Sequence, residues 1–285
     1  MKYGSEEKQN LFSYLLEISY LGKEFEGFQS QPSNNTVQDH LEKALSTVLR
    51  NPVKVTGGSR TDSGVDCYHQ YVQVVCPQEN IESEKFLLSV NALCPAAIRV
   101  YGVKRVPRDF RLHDQILYKI YRYRLWKGRC FDPFLASHVW ACPKELSFES
   151  LNTELQYFQG KHDFASLQNV GTTLRSTVRN VHGIELIDQG PLADIWVWGD
   201  GFLKQMVRNL VGTCVDLAMG RLDLSAAEVL EGRDRHLAGQ TAPAAGLALV
   251  RTVLSGSGTS PYEHIDSFYG RQSVLAGQVR VKNKP

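Results

Sequence analysis

Alternating and periodic apolar positions divide the chain into predicted strands and helices. Short runs rich in β-branched and aromatic residues predict strands, while apolar residues three and four positions apart predict helices. The predicted strands are residues 12–20, 52–56, 69–76, 98–106, 116–126, 178–187, 192–198 and 246–253. The predicted helices are residues 36–50, 83–93, 147–158, 202–219 and 225–230. This mixture predicts an α+β protein.

The order of these elements indicates two similar halves. Residues 1–110 follow the order β-α-β-β-α-β of a ferredoxin-like (RRM-like) domain, and residues 111–255 repeat it with larger insertions. We therefore expect two ferredoxin-like domains whose antiparallel sheets join side by side around a central cleft. Residues 256–285 are first rich in Gly and Ser and then basic, with Arg280, Lys282 and Lys284, which predicts a loosely ordered tail.

The composition is that of an ordinary folded protein, with 285 residues of which 42% are hydrophobic. No apolar run is long enough to span a bilayer, and the polar N-terminus lacks the apolar segment of a secretory signal. The six cysteines are scattered and form no Cys-x-x-Cys pair, which argues against a structural zinc site and for reduced thiols. These features predict a cytoplasmic protein with no membrane partner.

Charge is concentrated in one part of the chain. Residues 99–129 contain ten Lys or Arg and two acidic residues, a local excess of +8 on a chain whose net charge is only +2. A basic segment on a nearly neutral protein is typical of a phosphate-binding surface. A solvated charged face without a partner is equally consistent with this pattern.

The loop at residues 57–66 carries the strongest candidate for chemistry. Gly57 and Gly58 permit unusual backbone angles, and Asp62 follows Arg60 and Thr61. An aspartate in such a loop most often forms a turn by hydrogen-bonding its own backbone. A catalytic carboxylate is the rarer alternative, and the spacing alone leaves both open.

Motifs that follow one another from about residue 12 to residue 253 resemble those of a known family. Arg60-Thr61-Asp62-x-Gly64-Val65 is similar to the catalytic signature of TruA-type tRNA pseudouridine synthases. The other similar segments are Phe25-x-Gly27-Phe28-Gln29-x-Gln31, Thr36-Val37-Gln38, Leu41-Glu42-x-Ala44-Leu45, Lys119-x-Tyr121-x-Tyr123, Asp163-Phe164-x-Ser166, Arg179-Asn180-Val181, Gly201-Phe202-Leu203-x-x-Met206-Val207-Arg208-Asn209 and Gly246-Leu247-x-Leu249. A chance match would not keep this order.

The resemblance implies an isomerase that converts uridine to pseudouridine in the anticodon stem-loop of tRNA. It assigns the catalytic carboxylate, a nucleophile or base, to Asp62, and it makes Arg208 the cation that keeps this carboxylate charged in a closed pocket. Tyr121 is expected to stack on the target base, and its phenol could transfer a proton. Without the resemblance, a core Tyr in a strand and a surface Arg on a helix are the commoner fates of these two residues.

The reaction also requires the target nucleotide to leave its stack, at a cost of a few kcal/mol. The resemblance implies that Arg60 fills the vacated space and that Lys119, Gln29 and Leu249 bind the substrate. Because the isomerisation gains or loses no electrons, we expect no redox or other small-molecule cofactor, and no metal. The family also implies a homodimer.

The strand at residues 116–126 offers a further surface. Tyr121, Tyr123 and Leu125 share one of its faces, while Arg122, Arg124 and Trp126 share the other. The second face is polar, and it is expected to be available to RNA. Two alternative functions stay open: a pseudouridine synthase that acts on another RNA, and a non-catalytic RNA-binding module.

Overall fold

A computed structural model describes residues 10–128, 132–143, 145–169 and 175–275. The strands are β1 (Phe12–Tyr20), β2 (Val55–Gly57), β3 (Asp66–Cys76), β4 (Ile98–Val106), β5 (Ile116–Trp126), β6 (Trp140–Ala141), β7 (Gly160–Asp163), β8 (Val178–Gln189), β9 (Leu192–Gly199) and β10 (Leu247–Leu254). The helices are α1 (Val37–Leu49), α2 (Glu84–Leu93), α3 (Phe148–Gln156), α4 (Met206–Ala218), α5 (Ala226–Gly232) and α6 (Pro261–Leu275). The predicted α+β class is confirmed. No helix within the described ranges is long and apolar enough to cross a membrane.

The ten strands of the described ranges belong to one sheet. Its order is β4-β1-β3-β10-β5-β9-β8-β7, with β2 also paired to β3 and β6 to β5. β3 and β10 pair in parallel, with Ala248 opposite Asp66 and Leu249 opposite Cys67. This pairing joins the strands of the first half of the chain to those of the second, so the sheet continues across the middle of the molecule.

The predicted bounds of β1, β4 and β5 are confirmed, and the other predicted elements are present with shifted ends. Thr36 begins α1 as predicted, because its side chain accepts a hydrogen bond from the backbone N–H of Asp39 at 3.2 Å. α4 begins at Met206 rather than Phe202, since Gln205 has a left-handed backbone (φ 61°) that a right-handed helix cannot include. The short strands β6 and β7 were not predicted.

The main core lies on the face of the sheet that α1 to α4 cover. Tyr14, Leu16 and Ile18 of β1 alternate toward this face, where they belong to the same cluster as Leu41 of α1 and Leu210 of α4. A second, smaller apolar cluster lies on the opposite face and includes Tyr118, Ile120, Trp196, Trp198, Val250, Val253, Ile265, Phe268 and Tyr269. The sheet is therefore covered on both faces in its second half.

The prediction of a loosely ordered tail is wrong for residues 261–275, which form α6. Ile265, Phe268 and Tyr269 are buried against the second cluster, and the indole N–H of Trp196 donates to the Tyr269 hydroxyl at 2.9 Å. Their spacing of three and four is a helical signal that the Gly/Ser-rich segment before it obscured. Residues 276–285, with the basic residues Arg280, Lys282 and Lys284, lie outside the described ranges.

The prediction that the arginine face of β5 is available to RNA is also wrong, because α6 covers it. Arg124 donates to both carboxylate oxygens of Asp194, at 2.6 and 2.7 Å, and both residues are buried. The guanidinium of Arg122 lies over the rings of Tyr68 and Phe268, 5.6 and 5.1 Å from their centroids. Part of the positive charge of residues 99–129 is thus internal.

Replacing Phe268 with Ala is expected to lower the free energy of unfolding by about 3 kcal/mol. The ring packs edge-on against Trp196 and Tyr68, so the substitution leaves a cavity between α6 and the sheet. Ser267→Ala is the control, since Ser267 is exposed on the same helix. Denaturant unfolding of the two variants measures the difference, and equal stabilities would mean that α6 does not pack as described.

Candidate active site

The loop that carries Asp62 connects β2 to β3 and lies against the segment after β1. The backbone N–H of Phe28 donates to the Thr61 carbonyl at 3.1 Å. Gly27 has a φ of 90°, and a Cβ at this position would come within 2.8 Å of the same Thr61 carbonyl oxygen. A residue without a side chain is therefore required where the two segments meet.

A buried hydrogen-bond network supports the loop from below. The side-chain amide of Gln70 accepts from the Ser59 backbone N–H at 3.0 Å and donates to the Tyr20 hydroxyl at 2.8 Å. The Tyr20 hydroxyl is in turn 2.8 Å from the Thr61 hydroxyl. Because all four residues are buried, each polar group depends on its neighbour, and the loop holds one conformation.

Asp62 forms an ion pair with Arg208, a residue 146 positions away at the start of α4. The guanidinium Nη1 donates to Oδ2 of Asp62 at 3.2 Å, and Nε donates to the Ala242 carbonyl at 2.8 Å. The two side chains are 19% and 14% exposed, so the pair is largely shielded from solvent yet still accessible. The guanidinium of Arg208 thus places a positive charge directly beside the Asp62 carboxylate.

A cleft of about 680 Å³ opens over this pair. Six of the predicted site residues are brought together here. Asp62 lines the cleft together with Arg60, Gln29, Lys119 and Tyr121. Arg208 reaches the site through its ion pair with Asp62. Leu249 is the exception. It is fully buried in the core, where it lies opposite Tyr121 in the neighbouring strand, and it cannot contact a substrate. Leu247, two residues earlier on the same face of β10, lines the cleft instead.

Tyr121 lies at the base of the cleft and is only 7% exposed. Its ring meets the ring of Phe202 edge-on at 5.1 Å between centroids. Burial, with smaller contributions from Cys67 and Asp62, raises the pKa of the Tyr121 hydroxyl well above its usual value. Tyr123, the next aromatic on this face, is fully buried and its hydroxyl donates to the Pro243 carbonyl at 2.8 Å, so it belongs to the core.

Several cleft residues were not predicted as site residues. They are Phe202, Lys204, Gln205, His113 and Arg179. Phe202, Lys204, Gln205 and Arg179 fall within the segments that carried the resemblance, so their position in those motifs was the available signal. His113 was not among the predicted site residues either, and it reaches the cleft from the short 3-10 helix at residues 112–115 before β5.

Asp66 lies close to Asp62 in sequence but does not face the cleft. Its carboxylate accepts from the Gly22 backbone N–H at 2.8 Å and pairs with Nδ1 of His138 at 2.8 Å. With 5% of its surface exposed, Asp66 fixes the end of the loop rather than adding a negative charge to the site.

A family model described as tRNA pseudouridine synthase matches residues 18–111 and 155–253 of the chain. The matched segments contain Asp62 and Arg208, the ion pair of the cleft. The chain belongs to the tRNA pseudouridine synthase family. The TruA-type membership predicted from the ordered motifs is thereby confirmed, and with it the isomerase class.

Individual family members agree with this membership. The tRNA pseudouridine synthase A of Aquifex aeolicus (strain VF5) is 36% identical over 244 residues, covering 85% of this chain and 99% of that protein. The enzyme of the same name from Methylacidiphilum infernorum is 35% identical, covering 83% and 93%. The one from Bacillus licheniformis is 36% identical, covering 83% and 96%. The chain therefore spans nearly the full length of these family members.

Proposed function

We propose that this chain isomerises uridine to pseudouridine in tRNA, with Asp62 as the reacting carboxylate. The observation that carries the proposal is the ion pair between Asp62 and Arg208, which lies at a cleft within a chain of this family. The family members named above act on tRNA by their names, and tRNA is therefore the proposed substrate.

The chemistry needs one ionised carboxylate and no electron transfer. The bond between C1′ of the ribose and N1 of uracil breaks, the base turns, and a bond forms between C1′ and C5. A proton leaves C5 and N1 takes one up, so the product is an isomer of the substrate. Asp62 can attack C1′, add to C6 of the base, or remove a proton from the sugar. Each route starts from the charged carboxylate, which Arg208 stabilises.

Tyr121 and Phe202 offer aromatic surface for the flipped base beside Asp62. Because the pKa of the Tyr121 hydroxyl is raised, Tyr121 stays protonated at neutral pH. It therefore acts as a stacking partner or a proton donor, and a phenolate base is disfavoured. Arg60 is proposed to fill the space that the base leaves in the RNA, while Lys119 and Gln29 bind the nucleotide from the wall of the cleft.

We also propose the target position in the RNA, the location and oligomeric state of the enzyme, and its division into domains. The target lies in the anticodon stem-loop, the enzyme works as a cytoplasmic homodimer, and the chain divides near residues 110 and 255 into two ferredoxin-like halves. The sheet order supports the halves, since β4-β1-β3-β2 and β10-β5-β9-β8 both place the strands of a β-α-β-β-α-β unit in the order fourth, first, third, second. Size-exclusion chromatography with light scattering tests the dimer.

Incubating the purified protein with unmodified tRNA transcripts and mapping pseudouridine by carbodiimide chemistry tests the function. The expected product is pseudouridine in the anticodon stem-loop. Product on a different cellular RNA would move the proposal to another substrate. Binding to RNA without product on any transcript would indicate a non-catalytic module and overturn the proposal.

A further inference from the structure

Besides Lys204, four basic side chains line the cleft from four separate elements. Arg60 comes from the loop before β3, His113 from residues 112–115, Lys119 from β5 and Arg179 from β8. No carboxylate within the described ranges forms an ion pair with any of them. The carboxylate of Asp62, which shares the cleft, is already paired with Arg208.

Burial and the neighbouring positive charges disfavour the protonated forms of Lys119 and His113. Burial, and then the charges of Arg179 and Arg60, lower the pKa of Lys119 to about 8. Burial, and then Lys119 and Arg60, lower the pKa of His113, which only its neighbour Asp114 opposes. Without a bound anion, Lys119 therefore loses most of its charge between pH 7 and pH 9, a loss that an anion would reverse.

The position of this cluster suggests which anion it accepts. Arg179 is anchored by two hydrogen bonds from Nη1 to the carbonyls of Ser176 and Val178, and its Nε would lie 3.7 Å from a Cβ at Gly201, next to Phe202. Lys119 and Tyr121 lie two residues apart on the same face of β5, roughly 7 Å along the strand. A nucleotide whose base rests on Tyr121 and Phe202 would thus place a phosphate near Lys119 and Arg179, and both side chains are suited to phosphate oxygens.

We propose that Lys119, Arg179 and His113 form a subsite for a single phosphodiester group of the bound RNA, and that Lys119 takes up a proton from solvent when this phosphate arrives. The inference rests on the proposed function, since it assumes an RNA in the cleft. It adds a proton to the binding step: neutral Lys119 and H⁺ become an ammonium group that pairs with the phosphate.

Binding of a tRNA transcript to the Asp62→Asn variant, which removes turnover, tests the proposal between pH 7 and 9. Calorimetry in buffers of different ionisation enthalpy counts the protons. With a free-state pKa near 8, about half a proton is expected to be taken up at pH 8 and close to one at pH 9. Affinity should fall as pH rises above 8, by at most about tenfold per pH unit for a single proton.

Two substitutions at Lys119, each made in the Asp62→Asn background, separate the charge from its titration. Lys119→Arg carries a permanent charge, so it should keep its affinity to pH 9 and take up no proton at this site. The Lys119→Met variant should bind the tRNA at least about tenfold more weakly at pH 7. The slope of log affinity against log salt concentration should become shallower by nearly one, because one phosphate contact is lost. Lys85→Met is the control, because Lys85 is exposed on α2, outside the cleft and outside residues 99–129, and is expected to leave the binding curve unchanged.

Two results would overturn the subsite: a Lys119→Arg variant that keeps the proton uptake and pH dependence of the parent, or a Lys119→Met variant that binds as the parent does. If the wild-type protein makes pseudouridine in tRNA while either result is found, only this inference fails. If the protein binds no tRNA at any pH, the proposed function fails together with it.

Discussion

Replacing Asp62 with Asn is expected to lower kcat on tRNA at least about ten-thousandfold, which is the size of the loss when a catalytic nucleophile or base is removed. Asparagine has nearly the same shape, and its side-chain oxygen can still accept the hydrogen bond that Arg208 now donates at 3.2 Å. The fold and the RNA affinity should therefore change little. Single-turnover formation of pseudouridine with enzyme in excess measures the chemical step, and filter binding measures the affinity.

Asp109→Asn is the matched control, since it makes the same chemical change at an exposed residue. Its activity should equal that of the wild type. An Asp62→Asn variant that kept a tenth of the wild-type rate would place the reacting carboxylate elsewhere. Weak binding together with lost activity would instead assign Asp62 a role in holding the RNA.

Replacing Arg208 with Met is expected to give the second largest loss, about a hundredfold in kcat/KM. An opposite charge at this distance is worth a few kcal/mol at the dielectric of a partly shielded site, and each 1.4 kcal/mol corresponds to about tenfold in rate. Steady-state kinetics on a tRNA transcript measure the loss. Arg208→Lys should retain more activity than Arg208→Met, because it keeps a positive charge beside Asp62.

The chain offers a matched control for the loss of an ion pair, at the other end of α4. Arg221, just beyond α4, pairs with Asp216 at the same 3.2 Å but is 46% exposed and outside the cleft. Arg221→Met should leave kcat/KM within about twofold, because exposed pairs contribute little. Equal losses in both variants would mean that Arg208 acts through the stability of α4, which denaturant unfolding would reveal.

The apolar pattern was sufficient to predict strands in which apolar residues recur regularly at every second position. β1, β4 and β5 begin and end where the pattern does, because side chains two residues apart face the same core. It failed where a single backbone angle decides the end of an element, as at Gln205 before α4. It also failed for α6, whose three apolar contacts come after a stretch of Gly and Ser.

The site depended on more than local pattern. Nothing in the spacing of Asp62 and Arg208 predicts that they touch, since the contact arises from the way β10 lies between β3 and β5 and brings α4 to the loop. The resemblance supplied that pair. It was misleading for Leu249, which the neighbouring strand β5 covers, and it did not include His113, which reaches the cleft from a connecting segment.

The parallel pairing of Asp66 and Cys67 with β10 has a mechanical consequence. It begins four residues after Asp62 and ties the loop that carries Asp62 directly to β10, which comes after α4 and α5 in the chain. The Asp62 loop and the segment that leads from Arg208 to β10 are thus held by neighbouring strands of one sheet. A change in the register of β3 against β10 would therefore move Asp62 relative to Arg208 and break their 3.2 Å contact.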